Sequence, residues 1–446
     1  MKRREMLAAM GGLAVAGFSA GSLATDAATI KKSAKAARTA KAATASAELK
    51  AAWAEYHANL EQMRLLMEAT PPFQNTPQNR AKAYHTLMEM QAMAYNFAVA
   101  PRMLHPRLYY NLCWQSDVYT LGQNGQDWLY SMSFLDGTQR YRLSGRMGDV
   151  SLFLLQTFNG LFGEDGVKTS GNYDWGDFKV GADGRFEVIL SARKEAGNWI
   201  PLDSKVGYQM IFIRRALTDW LGDPGELQLE RISELPDDHY DADEFDEAAI
   251  ARRIRRATAF VRFVVKDFNI HLYDKYLGNA GKQKNKLTLL PGTTTGQVGS
   301  PSANYALGIF ELQDDEAVII EMDKVPDGAY WSFQLGDVWS RSLDFANHQS
   351  TLNMREVAVD ADGAFRLVVA LKDPGISNWL DACNHHEGTI VFRNYRARSA
   401  PVPASRKVKL ADLDKLLPSD TRRVSPAERK QAMERRRQGL LKRWGE

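Results

Sequence analysis

Two segments of the chain alternate apolar and polar residues with a period of two. Their apolar positions are Phe186, Val188 and Leu190 in the first segment, and Phe365, Leu367 and Val369 in the second. This period places the apolar side chains on one face of a half-buried strand. An Asp-Gly pair precedes each segment, at residues 183–184 and 362–363, and such pairs are typical of tight turns. The pattern therefore predicts strands of antiparallel sheets.

The two segments belong to an internal repeat. Three pairs of blocks match in the same order along the chain, and a fourth pair lies upstream of them. The pairs are residues 180–189 with 359–368, 197–200 with 377–380, 210–214 with 389–393, and positions 136, 137 and 145 with 327, 328 and 336. Matched blocks in a fixed order argue for duplication. We therefore expect two duplicated antiparallel domains of the β-sandwich or jelly-roll type.

Apolar residues recur at helical spacing outside the two repeats. Residues 48–69 and 80–99 form two such stretches, and Pro71 and Pro72 lie between them, which predicts a helical hairpin. Residues 241–278 carry acids first, then arginines and an apolar face, which predicts a long connecting helix packed on a sheet. The fold class that follows is mainly β with helical additions.

These patterns divide the chain into seven segments. In chain order they are a signal sequence at 1–28, a low-complexity tether at 29–45, a helical hairpin at 46–100, the first β repeat at 101–232, a connecting helix at 233–278, the second β repeat at 279–400 and a basic helical tail at 401–446. A chain of 446 residues is long enough for several hydrophobic cores.

The first residues carry the strongest local signal. Arg3 and Arg4 precede one variable residue, two apolar residues and an apolar stretch that ends near Ala24. This order matches the start of a twin-arginine export signal. We therefore expect the twin-arginine export machinery as a partner and the periplasm as the location. The protein is membrane-tethered instead if the signal is not cleaved.

Basic residues concentrate at the two ends of the chain. Residues 1–45 carry eight Lys or Arg and two acids, and residues 421–446 carry nine and three. The remainder holds 40 basic and 49 acidic residues, and an acidic body disfavours nucleic acid as a partner. The tail helix begins with a capping sequence at Ser425–Glu428. It either touches anionic lipid headgroups weakly or docks on the body.

Two further features leave alternatives open. The arginines within residues 252–256 either bind an anion or pair with acids of the body, and the second is our expectation. Cys113 and Cys383 are the two cysteines of the chain. They either form one long-range disulfide or pack unpaired in the core.

The second repeat carries two distinctive strings, at Asp327–Trp339 and at Asp373–Asp381. These strings resemble bacterial proteins of the domain of unknown function family twelve-fourteen. The resemblance covers roughly residues 105–397, with the first repeat as a more distant second copy in tandem. It implies a fold of the β-sandwich type and frequent export. It implies no reaction and no catalytic residues.

A site used by only one repeat should carry polar residues that the other repeat lacks. Four residues of the second repeat meet this criterion. With their counterparts in the first repeat, they are Asp337 (Arg146), Asp381 (Pro201), His385 (Lys205) and His386 (Val206). Histidine with carboxylate is the minimal equipment for acid–base chemistry near neutral pH. We therefore predict that these four residues are catalytic.

Trp331 and Trp339 are the predicted ligand-binding aromatics. They are spaced by eight residues, so on one strand they would face the same side, where an apolar or ring-shaped ligand stacks. His348 and Asn353 complete the predicted ligand site. The sequence contains no H-E-x-x-H, P-loop or G-x-G-x-x-G motif, so we expect neither a metal nor a cofactor.

Residues that recur in both repeats are expected to have structural roles. They are Asn198 with Asn378, Trp199 with Trp379, and Arg214 with Arg393. We expect the asparagines to hold turns, the tryptophans to fill cores and the arginines to form structural pairs.

Two functions from different classes follow. The first is an exported, cofactor-independent hydrolase or lyase that acts on a small apolar or aromatic compound by His/Asp acid–base chemistry in the second repeat. The alternative is a non-catalytic envelope protein that binds an apolar ligand or a glycan. The enzyme requires a histidine and an aspartate within hydrogen-bonding reach of each other, whereas the binding protein requires only an apolar groove.

Overall fold

The structure is a computed structural model that describes residues 20–109, 119–120, 122–235, 244–291, 300 and 302–444. The signal residues Arg3 and Arg4 and the cysteine Cys113 lie outside the described residues, and so do the predictions made for them. Among the described residues, no helix has the length and the apolar character needed to span a bilayer.

The described chain begins with helices. They are α1 (Ala20–Glu68), α2 (Pro71–Asn75) and α3 (Pro77–Ala94), followed by a π-helical turn at Tyr95–Val99. α1 and α3 contact each other, as a helical hairpin requires. Pro71 and Pro77 stand at first helical positions, where the missing N–H costs nothing. The Thr76 hydroxyl accepts a hydrogen bond from the Asn79 N–H at 3.0 Å and caps α3.

The segment predicted as a tether, residues 29–45, lies inside α1. Its alanine and lysine content explains the difference, because both residues favour the helix. α1 begins at Ala20, inside the segment predicted as the signal, so neither of these two boundaries coincides with the end of an element.

Eight strands of the first repeat form two four-stranded sheets. They are β1 (Trp128–Leu135), β2 (Tyr141–Arg146), β3 (Leu152–Phe158), β4 (Thr169–Tyr173), β5 (Arg185–Ser191), β6 (Trp199–Pro201), β7 (Gln209–Ala216) and β8 (Glu226–Arg231). The sheet orders are β1-β7-β3-β4 and β6-β5-β2-β8. The pairs are antiparallel except β5 with β6, which run parallel.

Among the described residues, the second repeat has one more edge strand than the first. Its strands are β9 (Thr288–Pro291), β10 (Ala303–Glu311), β11 (Glu316–Met322), β12 (Tyr330–Gly336), β13 (Thr351–Asn353), β14 (Phe365–Ala370), β15 (Trp379–Asp381), β16 (Glu387–Tyr395) and β17 (Ala404–Lys409). The sheet orders are β13-β12-β16-β10-β9 and β15-β14-β11-β17. Without β9, this is the order of the first repeat strand for strand, so the prediction of two duplicated domains is confirmed.

The strand equivalence corrects the fourth pair of sequence blocks. Gly145 lies within β2, whereas Gly336 ends β12, which occupies the place of β3. Asp337 directly follows β12 and therefore corresponds to Asn159, which directly follows β3, and not to Arg146. The wrong match has a simple cause, because Asp-Gly pairs and glycines recur wherever chains turn.

The second repeat also extends further than predicted. β17 pairs with β11 from Glu316–Lys409 to Glu321–Ala404, so residues 404–409 belong to the repeat and not to the tail. The sequence of this strand is basic and its residues are exposed or half-buried on an edge. That composition hid the strand from a search for apolar alternation.

The helices between the two repeats pack into a core that also contains residues of both repeats. They are α4 (Glu247–Phe263), a π-helical turn at Val264–Ile270 and α5 (His271–Asn279). Neighbouring residues of β7 pack into different cores. Phe212 packs towards the helices, and Ile213 packs between the two sheets of the first repeat. The second repeat has its own core between its sheets, which contains Phe365 and Trp331.

The tail docks on the body. It contains α6 (Leu413–Leu416) and α7 (Pro426–Trp444). Ser425 and Glu428 form the predicted capping pair, with the Ser425 N–H donating to the Glu428 carboxylate at 2.7 Å. Gly439 lets α7 approach the body closely, because a Cβ there would lie 2.3 Å from the Trp220 main-chain oxygen. Arg436 and Arg443 are buried beneath the helix.

Candidate functional site

A histidine and an aspartate of the second repeat meet at the end of β15. His348 Nδ1 lies 2.7 Å from Asp381 Oδ2. The imidazole side chain is 45% exposed, whereas the aspartate side chain is 11% exposed. An ionised carboxylate only accepts hydrogen bonds, so Nδ1 is the donor in this contact, and the neutral imidazole then has its free lone pair on Nε2. The pair is therefore oriented as in a general acid–base dyad.

The backbone around Asp381 holds its carboxylate in place. Asp381 Oδ1 accepts a hydrogen bond from the Cys383 N–H at 2.8 Å, and the Asp381 N–H donates to the Gln349 oxygen at 2.9 Å. Cys383 and Asn384 have φ values of 49° and 58°. Two consecutive non-glycine residues in the left-handed region form a strained turn, which is held between Asp381 and the next histidine.

Arginines of α7 brace the loop that carries His348. Arg436 donates to the main-chain oxygens of His348 and Thr351 at 3.3 and 3.1 Å. Arg429 donates to the side-chain oxygen of Gln349 at 2.7 Å. The C-terminal helix thus fixes the position of a histidine that lies about 90 residues earlier in the chain.

Asp337 lies in a separate buried charge cluster. Its carboxylate forms an ion pair with Lys82 of α3 at 3.1 Å and accepts the backbone N–H groups of Trp339 and Arg341. Burial alone would raise the pKa of Asp337, but Lys82, Arg341 and His385 hold it below its ordinary value. A buried, ionised and fully paired carboxylate stabilises the structure and is poorly suited to proton transfer.

His385 is buried beside this cluster. Its Nδ1 lies 2.9 Å from the Cys383 oxygen and 3.1 Å from the Ala382 oxygen. Among the described residues, its Nε2 has no hydrogen-bond partner. Burial, together with Lys82, lowers the pKa of His385 below its ordinary value. His385 does not bind Asp381, one of the aspartates predicted to act with a histidine, because its Nδ1 faces main-chain oxygens of its own turn, and it lies near Asp337 instead.

His386 points in another direction. Its Nδ1 lies 2.9 Å from the Leu312 oxygen, and its side chain is 48% exposed. It lines a cleft of about 450 Å³ together with the first residues of α3 and the carboxylates of Glu311 and Glu387. Adjacent residues leave a turn on opposite sides, so only one of the two histidines reaches the charge cluster of Asp337.

The predicted aromatic ligand site is wrong. Trp331 is 1% exposed and stacks on Phe365 at 5.2 Å in the core of the second repeat. Trp339 is fully buried in a different core, and its Nε1 donates to the Asn79 oxygen at 2.9 Å. The strand ends at Gly336, so the spacing of eight residues does not place the two rings on one face.

Asn353 is also structural. It is fully buried, and its amide donates to the Asp127 carboxylate at 2.7 Å and to the Thr218 oxygen at 3.0 Å. Tyr330 donates to the other oxygen of Asp127 at 2.6 Å. Burial raises the pKa of Asp127 to about 6. These contacts join the two repeats, so Asn353 does not face a ligand.

Two residues near the dyad have no signal in the sequence. Lys82 reaches Asp337 from a helix 255 residues earlier in the chain. A lysine at a polar position of a helical pattern is common, so the sequence gives no reason to single it out. Cys383 lies two residues after Asp381, and its thiol is partly buried. Burial and the carboxylates of Asp381 and Asp344 raise the pKa of this thiol above its ordinary value, so it is not an activated nucleophile.

Three side chains at the dyad form a set able to hold a metal ion. One ligand atom each from His348, Asp381 and Cys383 lies within 4.8 Å of the other two. The first repeat offers no such set at the corresponding place, because Pro201 stands where Asp381 stands in the second repeat.

The first repeat has a basic cleft where the second has the charge cluster. The cleft measures about 510 Å³ and contains Asn159, Lys205 and arginines of α4. Arg256 pairs with Glu164 at 2.8 Å, and Arg255 pairs with Glu55 at 3.2 Å. The expectation that these two arginines pair with acids of the body is confirmed.

Comparisons with known proteins concern family and fold. Residues 311–399 match the model of a family described as a protein of unknown function, DUF1214. An uncharacterized protein from Burkholderia cenocepacia is similar in crystal structure, with 28% identity, a TM-score of 0.73 and coverage of 83% of this chain and 100% of that chain. A Vibrio parahaemolyticus protein shares 13% identity over 72% of this chain and 96% of its own, with a TM-score of 0.42. No curated protein matches the chain.

Proposed function

We propose that this protein is a hydrolase or lyase that works by acid–base chemistry at the His348–Asp381 dyad, without a cofactor. The observation that carries the proposal is the 2.7 Å contact between Asp381 Oδ2, on a mostly buried side chain, and His348 Nδ1, on a half-exposed one. Of the candidate residues in the second repeat, these two form a histidine–carboxylate pair, which is the arrangement that the enzyme hypothesis requires.

The proposed mechanism assigns one role to each residue. Asp381 accepts a hydrogen bond from the His348 Nδ1–H and stabilises the imidazolium that forms during the reaction. His348 Nε2 removes a proton from the substrate or from water, and returns it to the leaving group. Arg436 and Arg429 are positioning residues, because they hold the loop and touch no reacting atom.

The structure favours a small polar substrate over the apolar or aromatic one expected from the sequence. Trp331 and Trp339 are core residues and therefore carry no argument for an aromatic substrate. Charged groups lie near the Cys383 thiol beside the dyad, since Asp344 and Lys82 both influence its pKa. A small polar substrate fits such surroundings better than an apolar one.

Export and ancestry complete the proposal. The twin-arginine motif at Arg3 and Arg4 supports delivery to the periplasm, either free or membrane-tethered. The shared strand order supports two tandem DUF1214-like units, of which the family model matches the second. In the tail, Lys430 and Arg437 face solvent and would carry any weak contact with anionic lipid.

The proposal is tested by finding a ligand and following its fate. The mature protein is screened by thermal shift against small polar hydroxy compounds and esters, oligosaccharides, steroids and lignin-type aromatics, and hits are followed by mass spectrometry. We expect a hit that is converted by the wild type and at least about a hundredfold more slowly by His348→Gln and Asp381→Asn.

His386→Gln is the matched control, because this histidine is equally exposed and contacts neither Asp381 nor His348. It should retain turnover. Equal turnover by His348→Gln and wild type would refute the dyad as the active site. A ligand that stabilises all the variants and emerges unchanged would leave the binding-protein hypothesis.

A further inference from the structure

The dyad and the neighbouring thiol bring together a nitrogen, an oxygen and a sulfur donor. These atoms, from His348, Asp381 and Cys383, lie within 4.8 Å of one another. A metal ion with bonds of about 2.0–2.3 Å holds its ligand atoms about 3–4 Å apart. Only small side-chain rotations therefore separate the present arrangement from a coordinating one.

We infer that His348, Asp381 and Cys383 form a binding site for a thiophilic divalent metal ion, of which Zn²⁺ is the representative. The chemistry of the donors selects this class. Thiolate and imidazole are ligands for zinc and related transition metals, whereas Mg²⁺ and Ca²⁺ take oxygen ligands. Three protein ligands leave the fourth tetrahedral position to water.

The surrounding structure presents the three ligands from fixed elements. Asp381 ends β15, and Cys383 follows in the left-handed turn. The Cys383 N–H already donates a hydrogen bond to Asp381 Oδ1. The main-chain oxygen of His348 is held by Arg436. Because the backbone of each ligand is anchored, binding requires side-chain movement alone.

Metal binding changes the proton inventory of the site. The Cys383 thiol loses its proton to solvent, and the sulfur lone pair forms the bond to the metal. The hydrogen bond between His348 and Asp381 breaks: Nδ1 releases its proton to solvent, Nε2 takes one up, and the Nδ1 lone pair and the carboxylate then bind the ion. No oxidation or reduction takes place.

One consequence rests on the proposed function. If the dyad is catalytic, Zn²⁺ and the substrate proton compete for the His348 imidazole, and Zn²⁺ also draws Asp381 away from it, so Zn²⁺ inhibits turnover. The site itself does not depend on turnover, because binding is measured without substrate. The two proposals can therefore fail separately.

The test uses Co²⁺ as a spectroscopic substitute for Zn²⁺ in the full mature protein. Titration with Co²⁺ should give a thiolate-to-cobalt charge-transfer band that saturates near one equivalent and disappears on addition of Zn²⁺. Cys383→Ser should abolish the band, and His348→Gln should weaken Co²⁺ binding at least about tenfold.

Cys113→Ser is the matched control, since it removes the other cysteine of the chain, and it should keep the band. Wild-type protein without a thiolate band, or a band that survives in Cys383→Ser, would overturn the inference. Circular dichroism of each variant shows that the fold is kept, so loss of the band reports loss of a ligand.

Discussion

Asn198 and Asn378 make the same three hydrogen bonds in the two halves of the molecule. Asn198 donates to the oxygens of Lys179 and Glu187 and accepts the Lys179 N–H. Asn378 donates to the oxygens of Ala358 and Arg366 and accepts the Ala358 N–H. What the repeats share is therefore scaffold, and candidate chemistry lies among the residues that only one repeat carries.

This equivalence predicts a stability difference between two alanine substitutions. Asn378 is 3% exposed, whereas Asn198 is only half-buried. Asn378→Ala removes the side-chain partner of three part-buried backbone groups and should lower the free energy of unfolding by about 2–3 kcal/mol. Asn198→Ala should lower it by about 1 kcal/mol, because its three hydrogen bonds are exposed and water replaces the lost partners. Urea unfolding of both variants measures this difference. Equal losses would contradict the assigned roles.

The C-terminal helix should be a structural part of the second repeat. Arg436→Met removes a 3%-exposed side chain that binds Glu356 at 2.9 Å, and we expect a loss of about 2 kcal/mol in unfolding free energy. Arg437→Met, one residue away, removes an exposed pair with Glu434 within the helix and should cost less than about 0.5 kcal/mol. Similar values for both variants in thermal and urea unfolding would argue against docking through Arg436.

His385 should make stability depend on pH. The pKa of His385 is lowered in the folded state by burial and by Lys82. Between this lowered pKa and the ordinary value of 6.5, the histidine is protonated in the unfolded chain but neutral in the folded chain. The stability contribution is thus present above 6.5 and lost as the pH falls. From about pH 7 to about pH 5, wild type should lose more unfolding free energy than His385→Gln, by up to about 1.4 kcal/mol per pH unit.

Guanidinium unfolding at the two pH values provides the measurement. Asp337 does not disturb the comparison, since its pKa is lowered from 3.8 and its contribution is lost only at more acidic pH. An equal or smaller pH dependence in the wild type would contradict a buried, neutral His385.

The repeat and its strands could be predicted because they depend on local pattern. Phe186 and Phe365 occupy buried positions of equivalent strands, as the period of two required. The tryptophans could not be assigned, because aromatic spacing is the same in a groove and in a core. His348 was expected to bind ligand and Asp381 to act with His385 or His386, since the loop between β12 and β13 that carries His348 could not be aligned with the first repeat.

Contacts over long sequence distances also escaped prediction. Lys82 reaches Asp337 from α3, and Arg436 reaches the His348 loop from α7. Both arise from the packing of helices on the repeats, which no local pattern encodes. Sequence comparison between the repeats therefore singled out Asp381, but the pairing of Asp381 with His348 required the structure.

The protonation of His348 tests the central claim most directly. Proton–nitrogen correlation spectra of ¹⁵N-histidine-labelled protein at about pH 8 report the tautomer of each neutral imidazole, and His348→Gln identifies the signal among the eight histidines. The dyad predicts that His348 carries its proton on Nδ1 and shifts it towards Nε2 in Asp381→Ala. A proton on Nε2 in the wild type, unchanged by Asp381→Ala, would contradict the dyad.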